Sequence, residues 1–579
     1  MWHKIQLTEP TSPSTKPTEI PKNIDFNWGV KIPMRDGVNL NATLYKPKTG
    51  QPTPVIFTLT PYIGDSYHAR ALFFAQHGYA FALVDCRGRG NSQGQFEPFV
   101  HEALDGHDVV EWLATQSWCD GQVTMWGGSY GGFDQWMTLR EFPPHLKTIV
   151  PVASACAGVD FPFFKNIFGS YEMQWMTFTS GVTGNSSLFG DMQFWIDKFQ
   201  EMYQNHKPYA SLDKIVGNES TLFQTWIKHP HPDIYWDQMA INMAQFDQIN
   251  LPILTITGNY DGDQPGAMTY YRRHMQSNSS AKDKHYLVIG PWDHAGTRTP
   301  MLEFGGLKFG AASLIDMNQL HKEWYDWTMK DGKKPTFLKK RVAYYVTAEE
   351  KWKYADSLES IPSKVKKLYL NSPGCAKDVF QSGTLDAIPP QNSGPDTYAY
   401  DPLDIRFGKL DREEIKDYFT DQTYDLNLFG NGLVYHSAPF QKNTEITGWV
   451  KFVGWISLNV PDTDFNIVLS EVLPDGKVIK LTQDMLRARY RESQREEKLV
   501  IPGEIKPYTF DGFTFFSRRI AEGSRLRLLI NCPNSIYMEK NYNSGGVVAD
   551  ETKADARTAQ VTLFHDASYP SYLEIPVIK

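Results

Sequence analysis

The chain has 579 residues, of which 41% are hydrophobic and 21% are charged. At about 150 residues per domain this length corresponds to several domains, and because α/β cores often run longer we expect two or three. No apolar stretch approaches the roughly 18 to 20 residues that a spanning helix needs. The composition therefore predicts an ordinary globular protein and excludes a membrane span, a collagen and a wholly disordered chain.

Charge and cysteine content narrow the class further. The 58 basic and 66 acidic residues give a net charge of −8, and the basic residues are scattered, so neither a nucleic-acid nor a membrane partner is expected. The first twenty residues lack a continuous apolar segment, which predicts no signal peptide and a cytoplasmic location, with secretion of a trimmed precursor left open. The cysteines are odd in number and without a Cys-x-x-Cys motif, which argues against a disulfide framework or zinc ribbon: Cys86, Cys119, Cys156, Cys375 and Cys532.

Short apolar runs alternate with helical patterns after a leader of residues 1–27. Residues 28–157 and 251–355 share this rhythm, which predicts two parts of one α/β core with a parallel, doubly wound sheet. The predicted strands are 55–60, 79–85, 122–126, 148–153, 253–257 and 285–290, and the predicted helices are 101–116, 132–142 and 267–276.

Two other regions have a different character. Residues 158–250 are rich in Met, Trp, Phe and Gln at helical spacing, for example Trp195 and Phe199, which predicts a helical cap inserted over the sheet. Residues 356–579 contain short β-branched and aromatic runs separated by turns, which predicts a C-terminal β-sandwich of jelly-roll type. The clearest runs in that region are 445–458, 465–473 and 477–481.

A possible nucleophile lies between the strand predicted at 122–126 and the helix that follows it. The intervening residues read Gly-Gly-Ser-Tyr-Gly-Gly, which contains the G-x-S-x-G pattern of a nucleophile elbow around Ser129. Gly127 and Gly131 are expected to be necessary because a Cβ on either flank of the strained turn would clash. A Gly-Ser turn without catalytic function is the alternative interpretation.

A serine hydroxyl needs an imidazole to take its proton and a carboxylate to orient that imidazole. Both should follow the serine in loops just after later strands. Asp261 follows the strand at 253–257, and His294 follows the strand at 285–290. Rival acids are Asp263 and Asp293. The rival bases, His285 in a strand and His321 in a helical stretch, are expected to be structural.

Acyl transfer also needs hydrogen-bond donors where the oxyanion forms. The backbone N–H of Tyr130 is the expected first donor. For the second, Tyr62 follows the strand at 55–60 and lies at the mouth of the sheet. From the residues alone, Tyr62 is equally well interpreted as a donor or as a packing residue.

Several motifs carry a resemblance to a known family. In the first half they are Gly127 to Gly132, Thr60-Pro61-Tyr62, Val84 to Gly90, Asn259-Tyr260-Asp261 and Gly290 to His294. In the second half they are Val434-Tyr435 with Ala438-Pro439, Pro461 to Phe465, Leu486 to Tyr490 and Pro570 to Val577. These motifs resemble the cocaine esterase and X-prolyl dipeptidyl-peptidase family, which includes α-amino-acid ester hydrolases and cephalosporin acylases. The resemblance extends from about residue 28 to the end of the chain.

The resemblance implies an α/β-hydrolase core with a helical cap and a C-terminal jelly-roll β-sandwich. It implies Ser129, Asp261 and His294 as catalytic triad, and the Tyr62 hydroxyl as an oxyanion donor beside the Tyr130 amide. The chain departs from the cocaine esterase pattern at Asp263, where an aromatic residue is usual, and at Asn259, where Trp is common. An apolar benzoyl-type pocket is therefore not predicted.

Candidate substrate contacts are less specific. Members that cleave α-amino acyl groups hold the substrate ammonium with carboxylates, and Asp134, Asp233 and Asp263 are candidates here. Each is also explained as a helix cap or a solvated charge. Trp292, two residues before His294, is a further candidate for contact with substrate.

Three hypotheses for the function follow. The first is a serine esterase or acylase for small acyl groups, which acts through an acyl-enzyme and needs no metal or organic cofactor. The second is an X-Pro dipeptidyl-peptidase, and the third is a non-catalytic scaffold with a binding β-domain. The sequence does not identify the physiological substrate. It also does not decide between hydrolysis and acyl transfer, or between a monomer and a homo-oligomer.

Overall fold

The structure is a computed structural model that describes residues 19–374, 376–391, 393–411 and 416–579. Within these residues no helix combines the length and the apolarity required to cross a bilayer. Part of the predicted leader, residues 1–18, lies outside the described residues.

The first part of the core alternates strands with helices. Its strands are β1 (Ile24–Pro33), β2 (Asn39–Pro47), β3 (Thr53–Thr60), β4 (Ala80–Asp85), β5 (Cys119–Met125), β6 (Gly127–Gly128), β7 (Leu146–Thr148) and β8 (Pro151–Val152). Its helices are α1 (His68–Gln76), α2 (Glu102–Ala114) and α3 (Tyr130–Arg140). Strand β1 pairs antiparallel with β2, so the core already includes residues that the sequence analysis assigned to the leader.

Residues 158–250 form a mainly helical insertion, the cap. It contains a short hairpin of β9 (Phe163–Phe164) and β10 (Ile167–Phe168). Its helices are α4 (Tyr171–Thr179), α5 (Ser186–Phe189), α6 (Met192–Gln204), α7 (Leu212–Val216), α8 (Thr221–Trp226), α9 (Ile234–Asp237) and α10 (Met243–Gln248). Trp195 and Phe199 are buried on one face of α6, as their helical spacing predicts.

The second part of the core adds β11 (Ile253–Gly258), α11 (Gln264–Gln276), β12 (His285–Gly290), β13 (Glu303–Phe304), β14 (Leu307–Lys308), α12 (Met317–Met329), β15 (Val342–Val346) and β16 (Lys351–Ala355). The strand orders are β1-β2-β4-β3-β5-β7 and β16-β15-β12-β11-β8-β6. These halves are continuous, because only Trp126 separates β5 from β6. The pairs from β4 to β15 are parallel, so their carboxyl ends share one edge of the sheet.

The C-terminal region is a β-domain. Its strands are β17 (Ser363–Asn371), β18 (Gly383–Asp386), β19 (Asp396–Tyr400), β20 (Gly432–Ser437), β21 (Thr444–Gly448), β22 (Lys451–Leu458), β23 (Asp464–Val472), β24 (Val478–Arg487), β25 (Lys506–Phe510), β26 (Phe516–Ile520), β27 (Arg525–Asn531), β28 (Ala559–Phe564) and β29 (Tyr572–Ile578). Within the described residues they join in one extensively paired sheet. The predicted α/β core and C-terminal β-domain are confirmed.

One predicted strand is wrong in its extent. The run 445–458 forms two strands, β21 and β22, because the chain turns at Gly448, whose φ of +132° favours glycine. Strand β21 then pairs with β26, whereas β22 pairs with β25. One run in the sequence therefore forms two strands, and each pairs with a different neighbour.

The β-domain is fastened to the core near the carboxyl edge of the sheet. The side-chain amide of Gln264, at the start of α11, donates to the carbonyl oxygen of Phe515 at 2.9 Å, and the Phe515 N–H donates back to its Oε1 at 2.7 Å. Ile536 and Tyr537 of the β-domain belong to the apolar cluster that includes the cap. The three regions thus meet beside the loops that follow β11 and β12.

Candidate active site

Ser129 occupies a strained turn between β6 and α3. Its backbone has φ 61° and ψ −122°, a combination that costs a non-glycine residue about 1–3 kcal/mol. The turn is tight, because a Cβ on Gly127 would lie 3.0 Å from the carbonyl oxygen of Gly131. A Cβ on Gly132 would lie 2.7 Å from the carbonyl oxygen of Val152. The chain thus holds one serine at the carboxyl edge of the sheet, as in a nucleophile elbow.

The expectation for Gly131 is wrong. A Cβ at this position would meet only the carbonyl oxygen of Leu59, at an ordinary 3.8 Å. Helix α3 begins at Tyr130, earlier than the predicted start at 132, and Gly131 lies at an ordinary distance from β3 whereas Gly132 lies against β8. The close approach of helix and sheet therefore depends on Gly127 and Gly132.

Asp261 and His294 are brought together from the loops after β11 and β12. His294 Nδ1 lies 2.9 Å from Asp261 Oδ1, and both side chains are buried. Asp261 is itself held by the Thr257 hydroxyl at 3.0 Å and by the Asp263 N–H at 3.0 Å. The imidazole is thus oriented by a fixed carboxylate, which leaves Nε2 as the nitrogen for proton exchange.

The rival bases have other partners. His285 is buried and bonded to Thr255 and His274, and burial lowers its pKa well below the ordinary value. His321 in α12 is bonded to the carbonyl oxygen of Met317, and burial lowers its pKa to about 3. Both are structural, as the sequence analysis expects.

The rival acids differ from each other. Asp293 accepts the N–H of Gly296 at 2.7 Å and so closes its own loop. Asp263 is closer to the imidazole, with Oδ2 at 3.7 Å from His294 Nδ1. Burial lowers the pKa of His294, but the charge of Asp263 and the bond to Asp261 outweigh this effect, so the pKa is raised.

The Tyr62 hydroxyl lies beside Ser129. The Ser129 side chain is near enough to lower the pKa of the phenol, although burial has the larger effect and raises that pKa. The indole N–H of Trp175, in cap helix α4, donates to the Tyr62 oxygen at 2.9 Å. The Tyr62 ring also stacks on Phe178 of the same helix. The cap thus orients the phenol so that its own O–H is available as a donor.

The other expected donor is the N–H of Tyr130. As the first residue of α3, Tyr130 has no intrahelical acceptor for this N–H. Its side chain is anchored below, where the hydroxyl donates to Glu102 at 2.5 Å and accepts the Phe99 N–H at 2.8 Å. A fixed N–H and a fixed phenol therefore flank Ser129.

The comparisons with known proteins agree with this geometry. The family described as "X-Pro dipeptidyl-peptidase (S15 family)" matches residues 36–296. The description "X-Pro dipeptidyl-peptidase C-terminal non-catalytic domain" matches residues 325–574. Cocaine esterase from Rhodococcus sp. (strain MB1 Bresler) is 26% identical over 599 residues, covering 96% of this chain and 100% of its own. The chain belongs to the cocaine esterase and X-Pro dipeptidyl-peptidase-like family of serine hydrolases.

Solved structures share the fold of this family member. An aminopeptidase from the marine sediment archaeon Thaumarchaeota archaeon aligns with a TM-score of 0.82 at 21% identity, over 98% of this chain and 100% of its own. An α-amino acid ester hydrolase labelled with selenomethionine aligns with a TM-score of 0.81 at 21% identity, over the same shares. Core, cap and β-domain therefore correspond along nearly the whole chain.

Three of the predicted substrate contacts are not supported by their surroundings. Asp134 is fully buried in α3. Asp233 caps α9 by accepting the N–H of Tyr235 and is also bonded to His229. Trp292 is fully buried, and its N–H donates to the carbonyl oxygen of Ser313 at 3.0 Å. Asp233 and Trp292 thus hold local backbone in place, and of the four predicted contacts Asp263 is the one observed beside the imidazole.

The structure adds residues that the sequence analysis missed. Asp160, in the cap segment after β8, accepts the N–H groups of Cys156 and Gly266. Burial and the charge of Asp263 raise the pKa of Asp160 well above its ordinary value. Arg298 is buried four residues after His294, and its charge lowers the pKa of that histidine. Of these two residues, only Asp160 could have been found from the sequence, because it lies in a Gly-Val-Asp turn after β8 and the strand ends of such sheets carry binding sites.

Metal-binding groups are not assembled here. In the part of the chain that the structure describes, no group of three or more His, Cys, Asp or Glu side chains is arranged to hold a metal ion. The described residues supply a serine in a strained turn, an imidazole bonded to a carboxylate, and the Tyr62 hydroxyl and Tyr130 N–H next to that serine.

Proposed function

We propose that this serine hydrolase cleaves esters of small acyl groups through an acyl-enzyme on Ser129. The observation that supports it most is the strained Ser129 beside the Tyr62 hydroxyl, on the sheet edge where His294 is bonded to Asp261 at 2.9 Å. In this arrangement each group needed for acyl transfer comes from the end of a core strand.

In the proposed mechanism His294 Nε2 takes the proton of Ser129 as Oγ attacks the acyl carbon. Asp261 keeps the Nδ1 proton in place and stabilises the imidazolium. The carbonyl oxygen becomes an oxyanion, which the Tyr62 hydroxyl and the Tyr130 N–H stabilise. His294 then protonates the leaving alkoxide, and water attacks the acyl-enzyme with His294 again as base.

A fluorophosphonate probe tests this proposal, because it labels only an activated serine. We expect labelling of the wild type and of Ser180→Ala, whose hydroxyl lies on an exposed turn after α4. We expect none of Ser129→Ala. An unlabelled wild type, or a labelled Ser129→Ala, would leave the non-catalytic scaffold as the better account.

We further propose that the acyl group carries an α-amino substituent. Asp263 lies 3.7 Å from His294, and its charge also raises the pKa of Asp160, so two carboxylates besides Asp261 border the same space. An ammonium ion is the group that such a set would bind best. This step rests on the esterase proposal.

Paired substrates distinguish the two proposals. We expect phenylalanine methyl ester to be cleaved at least about tenfold more efficiently than methyl 3-phenylpropanoate, which lacks the amino group, since one ionic hydrogen bond is worth about 1.4 kcal/mol or more. Asp263→Asn should reduce this preference. Equal rates for the two esters would exclude the amino-group preference and leave the esterase intact.

The dipeptidyl-peptidase alternative draws on the names of the matching family descriptions. It predicts that Gly-Pro-p-nitroanilide is cleaved faster than p-nitrophenyl acyl esters. We expect the reverse, because Asp263 lies 3.7 Å from His294, close to the reacting centre, whereas the free amine of an X-Pro substrate lies one residue further away. Greater peptidase than esterase activity would reverse this order.

We also propose a cytoplasmic location. It is supported by four buried cysteines without a disulfide in the described residues, Cys86, Cys119, Cys156 and Cys532. Fractionation of the host cells tests it, and recovery of the protein from the medium would contradict it.

A further inference from the structure

A second cavity lies where core, cap and β-domain meet. It has a volume of about 430 Å³, and none of Ser129, Asp261 and His294 lines it. Its walls come from the β9–β10 hairpin, from the middle of α11 and from the β-domain. The lining residues that matter below are Phe163, Asn166, Met268, Arg272, Arg273 and Trp449. We call this space the junction cavity.

The charges around the junction cavity are unequal. Lys165, Arg272 and Arg273 line it together with a single acid, Asp511. Lys165 lies 3.5 Å from Asp511, and its charge also acts on the buried Asp484, where burial raises the pKa and Lys165 partly opposes that rise. Lys165 is therefore neutralised by its neighbours.

The two arginines are not neutralised in this way. Among the residues that the structure describes, neither Arg272 nor Arg273 makes an ion pair. The Arg272 guanidinium lies 5.2 Å from the ring centre of Trp449, which fixes its plane against the β-domain. Two adjacent cations at one wall favour a carboxylate or phosphate oxygen.

A buried polar atom lies in the same cavity. Asn166 is fully buried, and its Nδ2 donates to the carbonyl oxygens of Pro230 and Gln494. Its Oδ1 has no hydrogen-bond partner within the described ranges of the chain. The two neighbouring carbonyl oxygens can accept only from the amide nitrogen, so Oδ1 is the side-chain atom that faces the cavity. A buried acceptor of this kind is normally paired with a hydrogen-bond donor.

The remaining lining is apolar. Phe163, Met268 and Phe513 line the cavity with the face of Trp449. Such surfaces bind a hydrophobic body, whereas the few polar groups fix its orientation. The cavity therefore favours a ligand with an anionic group, a hydrogen-bond donor and an apolar body.

We propose that the junction cavity binds a small organic acid, with its carboxylate on Arg272 and Arg273, an N–H or O–H on Asn166 Oδ1, and an apolar body against Trp449. The site is separate from the hydrolytic one, and the proposal does not depend on the esterase mechanism. A phosphate monoester could also bind the two arginines through its anionic oxygens, and it is therefore included in the test as a competing ligand.

N-acetylphenylalanine is a suitable probe, because it carries a carboxylate, an amide N–H and an aromatic ring. Binding is measured by calorimetry on the full chain carrying Ser129→Ala, which prevents turnover. We expect saturable binding at millimolar probe or below, no binding of the uncharged N-acetylphenylalanine amide, and weaker binding of 3-phenylpropanoate, which lacks the N–H. Tighter binding of phenyl phosphate than of N-acetylphenylalanine would assign the site to phosphate esters and overturn the carboxylate.

Variants locate the binding. Arg272→Gln with Arg273→Gln should weaken it at least about tenfold, the loss expected for one ionic contact. Arg519→Gln, an exposed arginine on β26, is the matched control and should have no effect. The proposal is overturned if the Ser129→Ala protein does not bind the probe, or if the double arginine variant binds it as well as Arg519→Gln does. It is also overturned if wild-type enzyme blocked with a fluorophosphonate does not bind the probe, which would assign the ligand to the active site.

Discussion

His294 is held between two carboxylates, and the second of them sets the pH range in which the imidazole can accept a proton. The charge of Asp263 raises the pKa of His294 against the opposing effect of burial. Since only the neutral imidazole acts as a base, a higher pKa shortens the active range on the acid side.

Asp263→Asn should therefore move the acid limb of the kcat/KM profile to lower pH. Removal of a negative charge near the imidazole lowers its pKa, so the neutral form persists further into acid. The profile is measured with an uncharged ester, for which loss of ammonium binding has no effect. Asp233→Asn, at the helix cap of α9, is the control and should leave the limb in place; a shift to higher pH in Asp263→Asn would contradict the assignment.

Tyr62 is the second residue whose role is directly testable. Tyr62→Phe removes the proposed donor but keeps the ring on Phe178, so kcat should fall by about 10²–10³-fold with little change in KM. Trp175→Phe, which removes only the N–H that orients the phenol, should cause a smaller loss in kcat. Steady-state kinetics on one p-nitrophenyl ester measure both, and a change within about twofold in Tyr62→Phe would remove the phenol from the mechanism.

Asp134 is a buried acid beside the nucleophile turn. Burial and the nearby Glu102 raise the pKa of Asp134 well above its ordinary value, and neither carboxyl oxygen has a hydrogen-bond partner among the residues that the structure describes. The native state thus keeps a proton that the unfolded chain releases above about pH 4, so this group lowers stability as pH rises through that value.

Asp134→Asn should accordingly stabilise the protein at pH 8 by about 1–3 kcal/mol, with a smaller gain near pH 4. Denaturant unfolding at both pH values measures the difference. Asp105→Asn is the contrast, because Asp105 is ion-paired with Arg87 at 2.6 Å and its loss should destabilise. A gain for Asp134→Asn that is equal at both pH values would show that its charge is not the cause.

At the scale of elements, the elbow depends on the closeness of α3 to the sheet. Gly132→Ala would place a Cβ 2.7 Å from a backbone oxygen of β8, so we expect a loss of about 1–3 kcal/mol in stability and a displaced Ser129 with much lower kcat. Gly131→Ala is the matched control, since its Cβ has an ordinary contact. Thermal unfolding and esterase assays compare them, and equal behaviour of the two variants would refute the distinction.

The elements themselves were largely predictable from the sequence. Strands such as β11 and β12 are buried, apolar and bounded by glycine, so their periodicity and length identify them. The division of residues 445–458 into β21 and β22 could not be predicted, because it depends on pairing with strands that are distant in the sequence. In the site, Asp261 and His294 were found from strand ends. Asp160 and Trp175 were missed because only the folded cap brings them to the sheet.

At the scale of the whole molecule, Gln264 joins the loop that carries Asp261 to the β-domain. Its side chain donates to the carbonyl oxygens of Gly258 and Phe515 and accepts the Phe515 N–H. Three buried hydrogen bonds thus pass through one residue, three positions after Asp261.

Gln264→Leu leaves these backbone groups unsatisfied, so we expect a loss of about 2–4 kcal/mol in stability and a reduced kcat, because the loop that carries Asp261 loses its support. Gln238→Leu, at an exposed position after α9, is the control. Unfolding in denaturant and kcat are both measured. If Gln264→Leu unfolds like the wild type, the contact between core and β-domain does not depend on this residue.

The bond from Trp175 to Tyr62 also constrains how such enzymes diversify. The indole belongs to the inserted helices, whereas the phenol belongs to the scaffold. A chimera that received the insertion of a relative would exchange its substrate pocket and, in the same step, the group that aims an oxyanion donor. Substitutions within the insertion that keep this indole should therefore preserve the aim of the phenol, whereas replacement of the whole insertion should not.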